Sequence, residues 1–154
     1  MRWSDVLGDK SLRDLPYKIE LNEWGKIEMT PASNKHGNYE SKIAFQLQSQ
    51  LPDGETITEC SIETNKGVKV ADVAWCSQAF LEKHGFETPF TEAPEICVEI
   101  LSPSNMREEM QEKIRLYLDR GATEVWLVYE DGQVEFYNRS GAVTKSQFDI
   151  SIAL

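Results

Sequence analysis

A lysine stands inside the apolar stripe of the helix that the sequence predicts for residues 105–120. At about 100° per residue, Lys113 falls between Met110 and Leu116, with Tyr117 beside it. A buried ammonium group is costly unless anions neutralise it. The fold must therefore bring acidic side chains against this helix. The alternative is a snorkelling lysine, whose stem packs on the core while its ammonium group reaches water.

Two strand-like segments upstream each carry one carboxylate in an otherwise apolar row. In residues 68–76, Asp72 shares a face with alternate apolar side chains, and in residues 95–101 Glu99 does the same. Taken singly, a buried acid has a local explanation such as a turn, a helix cap or a salt bridge. Together with Lys113, two such acids favour a joint functional site.

A third carboxylate lies on the helix predicted for residues 36–51. Glu40 points along the apolar stripe of that helix, and His36 lies on the same face one turn earlier. The alternative is that Glu40 only complements the helix dipole, which favours an acid in the first turn. We therefore treat Glu40 as an accessory candidate.

The order of the predicted elements indicates a mixed β-sheet flanked by helices, which is an α/β fold. Strand, helix and strand follow one another between residues 95 and 129, which predicts a parallel pair joined by a crossover helix. Turn signals at residues 65–67 and 131–132 predict antiparallel hairpins. Ser104 or Asn105 is the predicted N-cap of the crossover helix.

Length and composition favour a single domain spanning residues 1–154, because a chain of this length can form one substantial core. Hydrophobic residues make up 40% of the chain, which excludes a disordered protein. The first residues lack the apolar run of a signal peptide, and no stretch is apolar enough to span a membrane. These features predict a cytoplasmic protein without a membrane partner.

The residues that could bind metal restrict the kind of metal site. The three cysteines form no CxxC pair, so they are expected to be buried thiols in a reducing compartment and not zinc ligands. With only 2 histidines, the chain cannot form a histidine-rich site. Any metal must therefore be a hard cation held by oxygen atoms.

An Asp on one strand, a Glu on the next and a nearby Lys resemble the site of the PD-(D/E)XK nuclease superfamily. In the usual pattern the lysine stands two residues after the second acid, where this chain has Leu101. A lysine on the following helix instead resembles the Uma-two family of restriction endonuclease-like proteins. Two positions depart from that family, since Ala71 replaces an expected proline and Tyr129 stands where an acid is common. The motifs that carry the resemblance are Thr30-Pro31-Ala32-Ser33, His36-Gly37, Asp72, Glu99-Ile100-Leu101-Ser102-Pro103-Ser104, Lys113, Tyr117, Gly121 and Trp126-Leu127-Val128.

The resemblance implies a restriction endonuclease-like fold and a metal-dependent endonuclease that hydrolyses DNA. By the same resemblance, Asp72, Glu99 and the backbone carbonyl of Ile100 would hold Mg²⁺ or Mn²⁺. Lys113 would orient or activate the attacking water and stabilise charge in the transition state. A homodimer is predicted, because nucleases that cut both strands often pair two active sites by two-fold symmetry.

Three neighbouring side chains receive weaker roles from the resemblance. Glu40 would be an outer ligand that acts through water. Ser102 would either bond to a site carboxylate or only end the strand, which is the simpler interpretation. Tyr117 is expected to pack in the core and to take no part in the chemistry.

Three hypotheses remain open from the sequence. The first is a DNA-cleaving enzyme, which the intact Asp72, Glu99 and Lys113 favour. The second is a catalytically silent nuclease-like fold that acts as a binding or oligomerisation module, with these residues as an ion-pair cluster. The third is a structural protein without metal. The formal net charge of −10 favours the last two, since tight non-specific binding to nucleic acid rests on Lys and Arg contacts to phosphates.

Overall fold

In a computed structural model that describes residues 1–154, the chain forms a six-stranded sheet, a two-stranded hairpin and four α-helices. No helix is both long and apolar enough to cross a lipid bilayer. The helices are α1 (Trp3–Gly8), α2 (Asn34–Gln50), α3 (Gln78–His84) and α4 (Arg107–Asp119). The strands of the hairpin are β1 (Tyr17–Leu21) and β2 (Ile27–Pro31). Those of the large sheet are β3 (Glu55–Thr64), β4 (Gly67–Cys76), β5 (Ile96–Ile100), β6 (Glu124–Val128), β7 (Val134–Asn138) and β8 (Gly141–Val143).

The strands of the large sheet lie side by side in the order in which they occur along the chain. β5 and β6 run parallel and are connected through α4, whereas the other neighbouring pairs are antiparallel. The predicted mixed sheet flanked by helices is therefore confirmed. This order makes β4 and β5, the strands that carry Asp72 and Glu99, direct neighbours.

Two helices cover opposite faces of the large sheet and form separate apolar cores. On one face α2 contributes the fully buried Ile43 and Leu47. On the other face α4 contributes Met110 and Ile114. Each such side chain stabilises the fold by about 1.5–3 kcal/mol when it is fully buried. Because side chains alternate along a strand, the acids of β4 and β5 point towards the α4 side.

The loop between β5 and α4 differs from the sequence prediction. The helix begins at Arg107 with Met106 as its N-cap and without a side-chain cap, so the predicted cap at Ser104 or Asn105 is wrong. The Asn105 carboxamide oxygen instead accepts a hydrogen bond from the Ser102 amide at 2.7 Å. The polar residue that could have capped the helix therefore fixes the loop that follows β5.

The hairpin β1–β2 packs closely against the turn between β3 and β4. A Cβ atom built on Gly67 would lie 2.2 Å from the Leu21 carbonyl oxygen, so only glycine fits at this contact. Three residues after Gly67 on β4, the Val70 amide donates a hydrogen bond to a carboxylate oxygen of Glu20 at 2.7 Å. These contacts fix one face of β1 over β4.

We expect Gly67→Ala to lower the free energy of unfolding by about 3 kcal/mol, measured by urea denaturation. The left-handed backbone, with φ of +87°, costs alanine about 1–2 kcal/mol, and the clash with Leu21 adds about 1–3 kcal/mol. Gly121→Ala is the matched control, because φ is +104° but nothing lies within 4 Å of the added Cβ. Equal losses in the two variants would contradict the close packing of the hairpin.

Candidate active site

Asp72 and Glu99 lie opposite each other at a gap between β4 and β5. The ladder between these strands ends where Val73 pairs with Val98, so the next two residues face each other without a backbone bond. Both acids are buried, with relative exposures of 0% and 2%. The Ile100 amide donates a hydrogen bond across the gap to Asp72 Oδ2 at 2.7 Å. The structure therefore places the two predicted acids side by side in the interior.

Lys113 reaches the same place from α4. Its Nζ atom lies 3.3 Å from Glu99 Oε1 and 2.9 Å from Glu20 Oε2. Only 13% of its side chain is exposed, so the snorkelling alternative is wrong. Glu20 in turn is held by the Val70 amide, and the ammonium group is thereby fixed between two anchored carboxylates.

A second lysine, Lys18 on β1, is a site residue that the sequence did not reveal. Its Nζ atom lies 3.1 Å from Asp72 Oδ1 and 3.0 Å from Glu99 Oε2, so that one ammonium group bridges both acids. Alternation along β1 puts Lys18 and Glu20 on one face, and the docked hairpin turns that face inwards. A short strand with alternating charges is typical of a solvated surface, so the local pattern carried no signal.

A cavity of about 390 Å³ opens onto these side chains. Its volume falls in the range of small-ligand sites, which is about 300–1,000 Å³. Its wall is completed by hairpin residues such as Tyr17 and Thr30. The polar residues that line it are Lys18, His36, Glu59, Asp72, Glu99, Ser102, Asn105 and Lys113.

The prediction that Tyr117 packs in the core is confirmed, and the structure adds a polar contact to it. The ring is fully buried on the α4 side of the sheet, but the hydroxyl group donates a hydrogen bond to Glu99 Oε1 at 2.7 Å. Burial, together with the neighbouring Glu99 and Glu20 charges, raises the pKa of Tyr117 well above its usual value. The hydroxyl therefore stays protonated and fixes the orientation of Glu99.

The N-terminal end of α2 brings a histidine to the cavity. The helix begins at Asn34, two residues before the predicted start, because the Ser33 hydroxyl accepts a hydrogen bond from the His36 amide at 3.1 Å. His36 Nε2 lies 3.2 Å from Asp72 Oδ1. Glu40, one turn later, places Oε2 3.7 Å from His36 Nε2 and does not line the cavity. Glu40 therefore lies behind His36 and not among the central residues.

Glu59 lies on β3, which borders β4 on the edge opposite β5, and it stands at the level of Asp72. The pairs on either side of this level are in register, but Glu59 and Asp72 themselves are not paired. The backbone of Glu59 has φ of 51°, a left-handed conformation that costs about 1–3 kcal/mol and clusters at functional sites. One ligand atom from each of His36, Glu59 and Asp72 lies within 4.8 Å of the others. The sequence prediction included neither Glu59 nor His36 among the site residues.

Ser102 follows β5 at the rim of the cavity without bonding to a site carboxylate. Its hydroxyl group lies 3.0 Å from Ser104 Oγ and donates to Asn105 Oδ1 at 3.0 Å. The structure therefore favours the interpretation that Ser102 ends the strand. Ile100 also lines the cavity, and its carbonyl group stays a predicted metal ligand.

Buried charges shift the pKa values of the central residues in different directions. Burial raises the pKa of Asp72, but the Lys18 ammonium and a hydrogen bond from His36 outweigh burial and hold it below its usual range. For Glu99, burial outweighs both lysines and raises the pKa. Burial lowers the pKa of Lys18, but Asp72 and Glu99 more than compensate and keep it above its usual value. Asp72, Glu99 and Glu20 share the two ammonium groups of Lys18 and Lys113, and Asp72 has His36 as a further partner.

The donor set of the cavity fits a divalent cation that prefers oxygen. Asp72, Glu99 and Glu59 offer carboxylate oxygens, and His36 offers one imidazole nitrogen. Carboxylates suit Mg²⁺ and Mn²⁺, whereas thiolate ligands are absent from the lining because the free cysteines lie elsewhere. An ammonium group already bound between two acids shows that this place is built to hold positive charge.

The chain has a restriction endonuclease-like fold, and the comparisons with known proteins identify its family. The family Uma2, described as "Putative restriction endonuclease", matches residues 11–149, so the chain belongs to this family. A crystal structure described as a "putative nuclease belonging to DUF820" from Anabaena variabilis is similar, with a TM-score of 0.74 and 20% sequence identity. The similarity covers 96% of this chain and 90% of that chain and shows a shared fold. No curated protein matched.

We expect Glu59→Gln to stabilise the protein increasingly as the pH rises from about 5 to 8. Burial, and then the Glu40 and Asp72 charges, raise the pKa of Glu59 from 4.5 to about 8. The folded state therefore binds this proton more tightly than the unfolded state, and wild-type stability falls as the proton is lost. After a discount for the partial exposure of Glu59, the gain at pH 8 is about 1 kcal/mol.

Thermal unfolding across this pH range measures the effect. The matched control is Glu63→Gln, which removes one negative charge from an exposed position on the same strand. A gain that is equal in both variants, or that does not change with pH, would show that the pKa of Glu59 is not raised in the folded protein.

Proposed function

We propose that this protein is a nuclease that hydrolyses phosphodiester bonds of DNA with Mg²⁺ or Mn²⁺ bound to Asp72 and Glu99. Membership of the Uma2 family supports a nuclease. The observation that carries the proposal is the convergence of these two buried acids and the inward-pointing Lys113 on one cavity. This combination suits metal-assisted hydrolysis, because anionic ligands hold the cation and a positive group stabilises charge on the phosphate.

In this proposal each acid uses one oxygen for the cation and the other for orientation. Asp72 Oδ2 is fixed by the Ile100 amide, and Glu99 Oε1 by the Tyr117 hydroxyl. Asp72 Oδ1 and Glu99 Oε2 would then hold the cation, and the Ile100 carbonyl group and water would complete its ligands. When bound, the metal ion would act as a Lewis acid, which polarises the phosphate and lowers the pKa of a bound water molecule.

Lys113 is the residue that we propose acts directly on the reacting groups. Its ammonium group lines the cavity and is fixed between Glu20 and Glu99. From there it can donate hydrogen bonds to a phosphate oxygen or to the attacking water, and stabilise the negative charge of the transition state. Glu20 is a positioning residue, since it contacts Lys113 and does not line the cavity.

The second candidate function is a metal-free binding or oligomerisation module. One observation favours it, because the protein itself supplies ammonium partners for Asp72, Glu99 and Glu20. Such a cluster would be structural, and it would leave the cavity without a cation. The net charge of −10 also fits a protein that does not bind nucleic acid non-specifically. The two candidates differ in their response to Mg²⁺.

Asp72→Asn is expected to lower the rate of Mg²⁺-dependent cleavage of a supercoiled plasmid by about 100-fold or more, because it removes a charged ligand. The variant should also lose the rise in melting temperature that Mg²⁺ causes in the wild type. Asp119→Asn is the matched control, since this exposed residue at the end of α4 gives the same change of charge.

Stability without metal does not separate the two candidates. The low pKa of Asp72 means that its charge stabilises the metal-free fold, so Asp72→Asn destabilises the protein in either case. An intact plasmid, together with melting curves that Mg²⁺ shifts in neither the wild type nor the variants, would rule out the metal-dependent nuclease and favour the module.

We also propose that the protein acts as a homodimer, so that two sites address the two strands of DNA. Large apolar side chains that lie exposed on the surface, Trp24, Phe45 and Phe86, offer area for such an interface. Light scattering at micromolar concentration should give about twice the chain mass of 17.6 kDa. A mass near that of one chain would contradict the dimer.

A further inference from the structure

Most of the hydrogen-bonding capacity of the two central acids is already used by fixed protein groups. Asp72 Oδ2 accepts from the Ile100 amide at 2.7 Å. Glu99 Oε1 accepts from the Tyr117 hydroxyl at 2.7 Å and from Lys113 at 3.3 Å. The oxygens that these groups do not hold are Glu99 Oε2 and Asp72 Oδ1, the second of which also lies 3.2 Å from His36 Nε2.

Both of these oxygens contact the same ammonium group. Lys18 Nζ lies 3.1 Å from Asp72 Oδ1 and 3.0 Å from Glu99 Oε2, and 11% of the Lys18 side chain is exposed. Lys113, by contrast, contacts the oxygen of Glu99 that points away from this place. The two lysines therefore have different roles, and Lys18 stands where the proposed cation would bind.

We propose that Lys18 is the counter-cation of the metal-free site, and that its ammonium group and a divalent metal ion exclude each other at Asp72 and Glu99. This inference rests on the metal site of the proposed function. Lys18 keeps the two acids from repelling each other when no metal is bound, and it must leave their free oxygens when metal enters.

Distance and charge both support this exclusion. A Mg²⁺ ion bound at about 2.1 Å to the same two oxygens would lie within about 5 Å of Lys18 Nζ if the lysine did not move, because these oxygens lie 3.1 and 3.0 Å from that atom. Two cations at such a separation repel strongly in a buried site, where the effective dielectric constant is low. The gain from binding the metal must therefore exceed the loss of two buried ion pairs.

The structure also gives the displaced lysine a place to go. Lys18 lines the cavity and its four-carbon stem is flexible, so rotation of the stem can move the ammonium group away from the two carboxylates within the cavity. In that position Lys18 faces the space in which a phosphodiester would lie. The same residue thus lowers metal affinity and, once displaced, adds positive charge to the cavity wall.

Calorimetric titration with Mn²⁺ tests the exclusion. Lys18→Met should bind Mn²⁺ about tenfold more tightly than the wild type or better, because the competing charge is gone. Lys18→Arg should bind it about threefold more weakly or worse, because a guanidinium group can hold both carboxylates at once. The matched control is Lys26→Met, which removes the same charge from an exposed position in the turn of the same hairpin.

A measurement on the wild type makes the test independent of the folding of variants. Acetylation by an N-hydroxysuccinimide ester, read by mass spectrometry, should be slow at Lys18 in the metal-free protein. Saturating Mg²⁺ should accelerate it several-fold at Lys18 and leave Lys26 unchanged. If Lys18→Met does not fold, weaker binding by Lys18→Arg and faster labelling of Lys18 support the exclusion. Unchanged labelling at saturation overturns it.

The outcomes separate this inference from the proposed function. If the wild type binds Mn²⁺ and Lys18→Met binds it no more tightly than Lys26→Met, the exclusion is wrong and the metal site stands. If only Lys18→Met binds Mn²⁺, the exclusion stands and the metal-dependent function of the wild type is wrong. If no variant binds Mn²⁺, both are wrong.

Discussion

Two carboxylates can be buried between neighbouring strands when cations reach them from outside the sheet, and this requirement shapes the molecule around Asp72 and Glu99. The six-stranded sheet supplies the acids but no cation at their level. The hairpin β1–β2 delivers Lys18, and α4 delivers Lys113. Removing one partner from such a buried cluster costs about 3–5 kcal/mol, which exceeds the contribution of most single contacts. The docking of the hairpin and the helix is therefore as much an electrostatic requirement as an apolar one.

The part of the site that the sequence predicts consists of residues that break the pattern of their own element. Asp72 and Glu99 interrupt apolar rows on strands, and Lys113 interrupts an apolar stripe on a helix. Each can be recognised within a few residues of chain, because side-chain periodicity is a local property. The order of strands and helices likewise predicts that the two acids lie on neighbouring strands. The sequence already predicts that these three residues lie together, and the structure adds the distances between them and their hydrogen-bond partners.

The residues that the sequence did not reveal depend on contacts between elements. Lys18 and Glu20 form a regular alternating strand, and only the docking of the hairpin turns their face inwards. Glu59 faces Asp72 because Thr64 pairs with Gly67, which leaves a two-residue turn. A turn placed one residue longer shifts the register and moves Glu59 away from this level. Register and docking are fixed by packing across the whole molecule, so no local pattern contains them.

The hydrogen bonds of the two lysines also determine when the site can form during folding. Three of these four bonds join residues that are 54, 81 and 93 positions apart along the chain, and the fourth spans 14 positions. Contacts of this span form late, because the entropy of closing long loops must be overcome before they contribute. Until the hairpin and α4 dock, neither ammonium group can contact Asp72 or Glu99. The hairpin is made early in synthesis, yet it completes its bonds only after α4 has been made, so the cavity is among the last parts of the molecule to close.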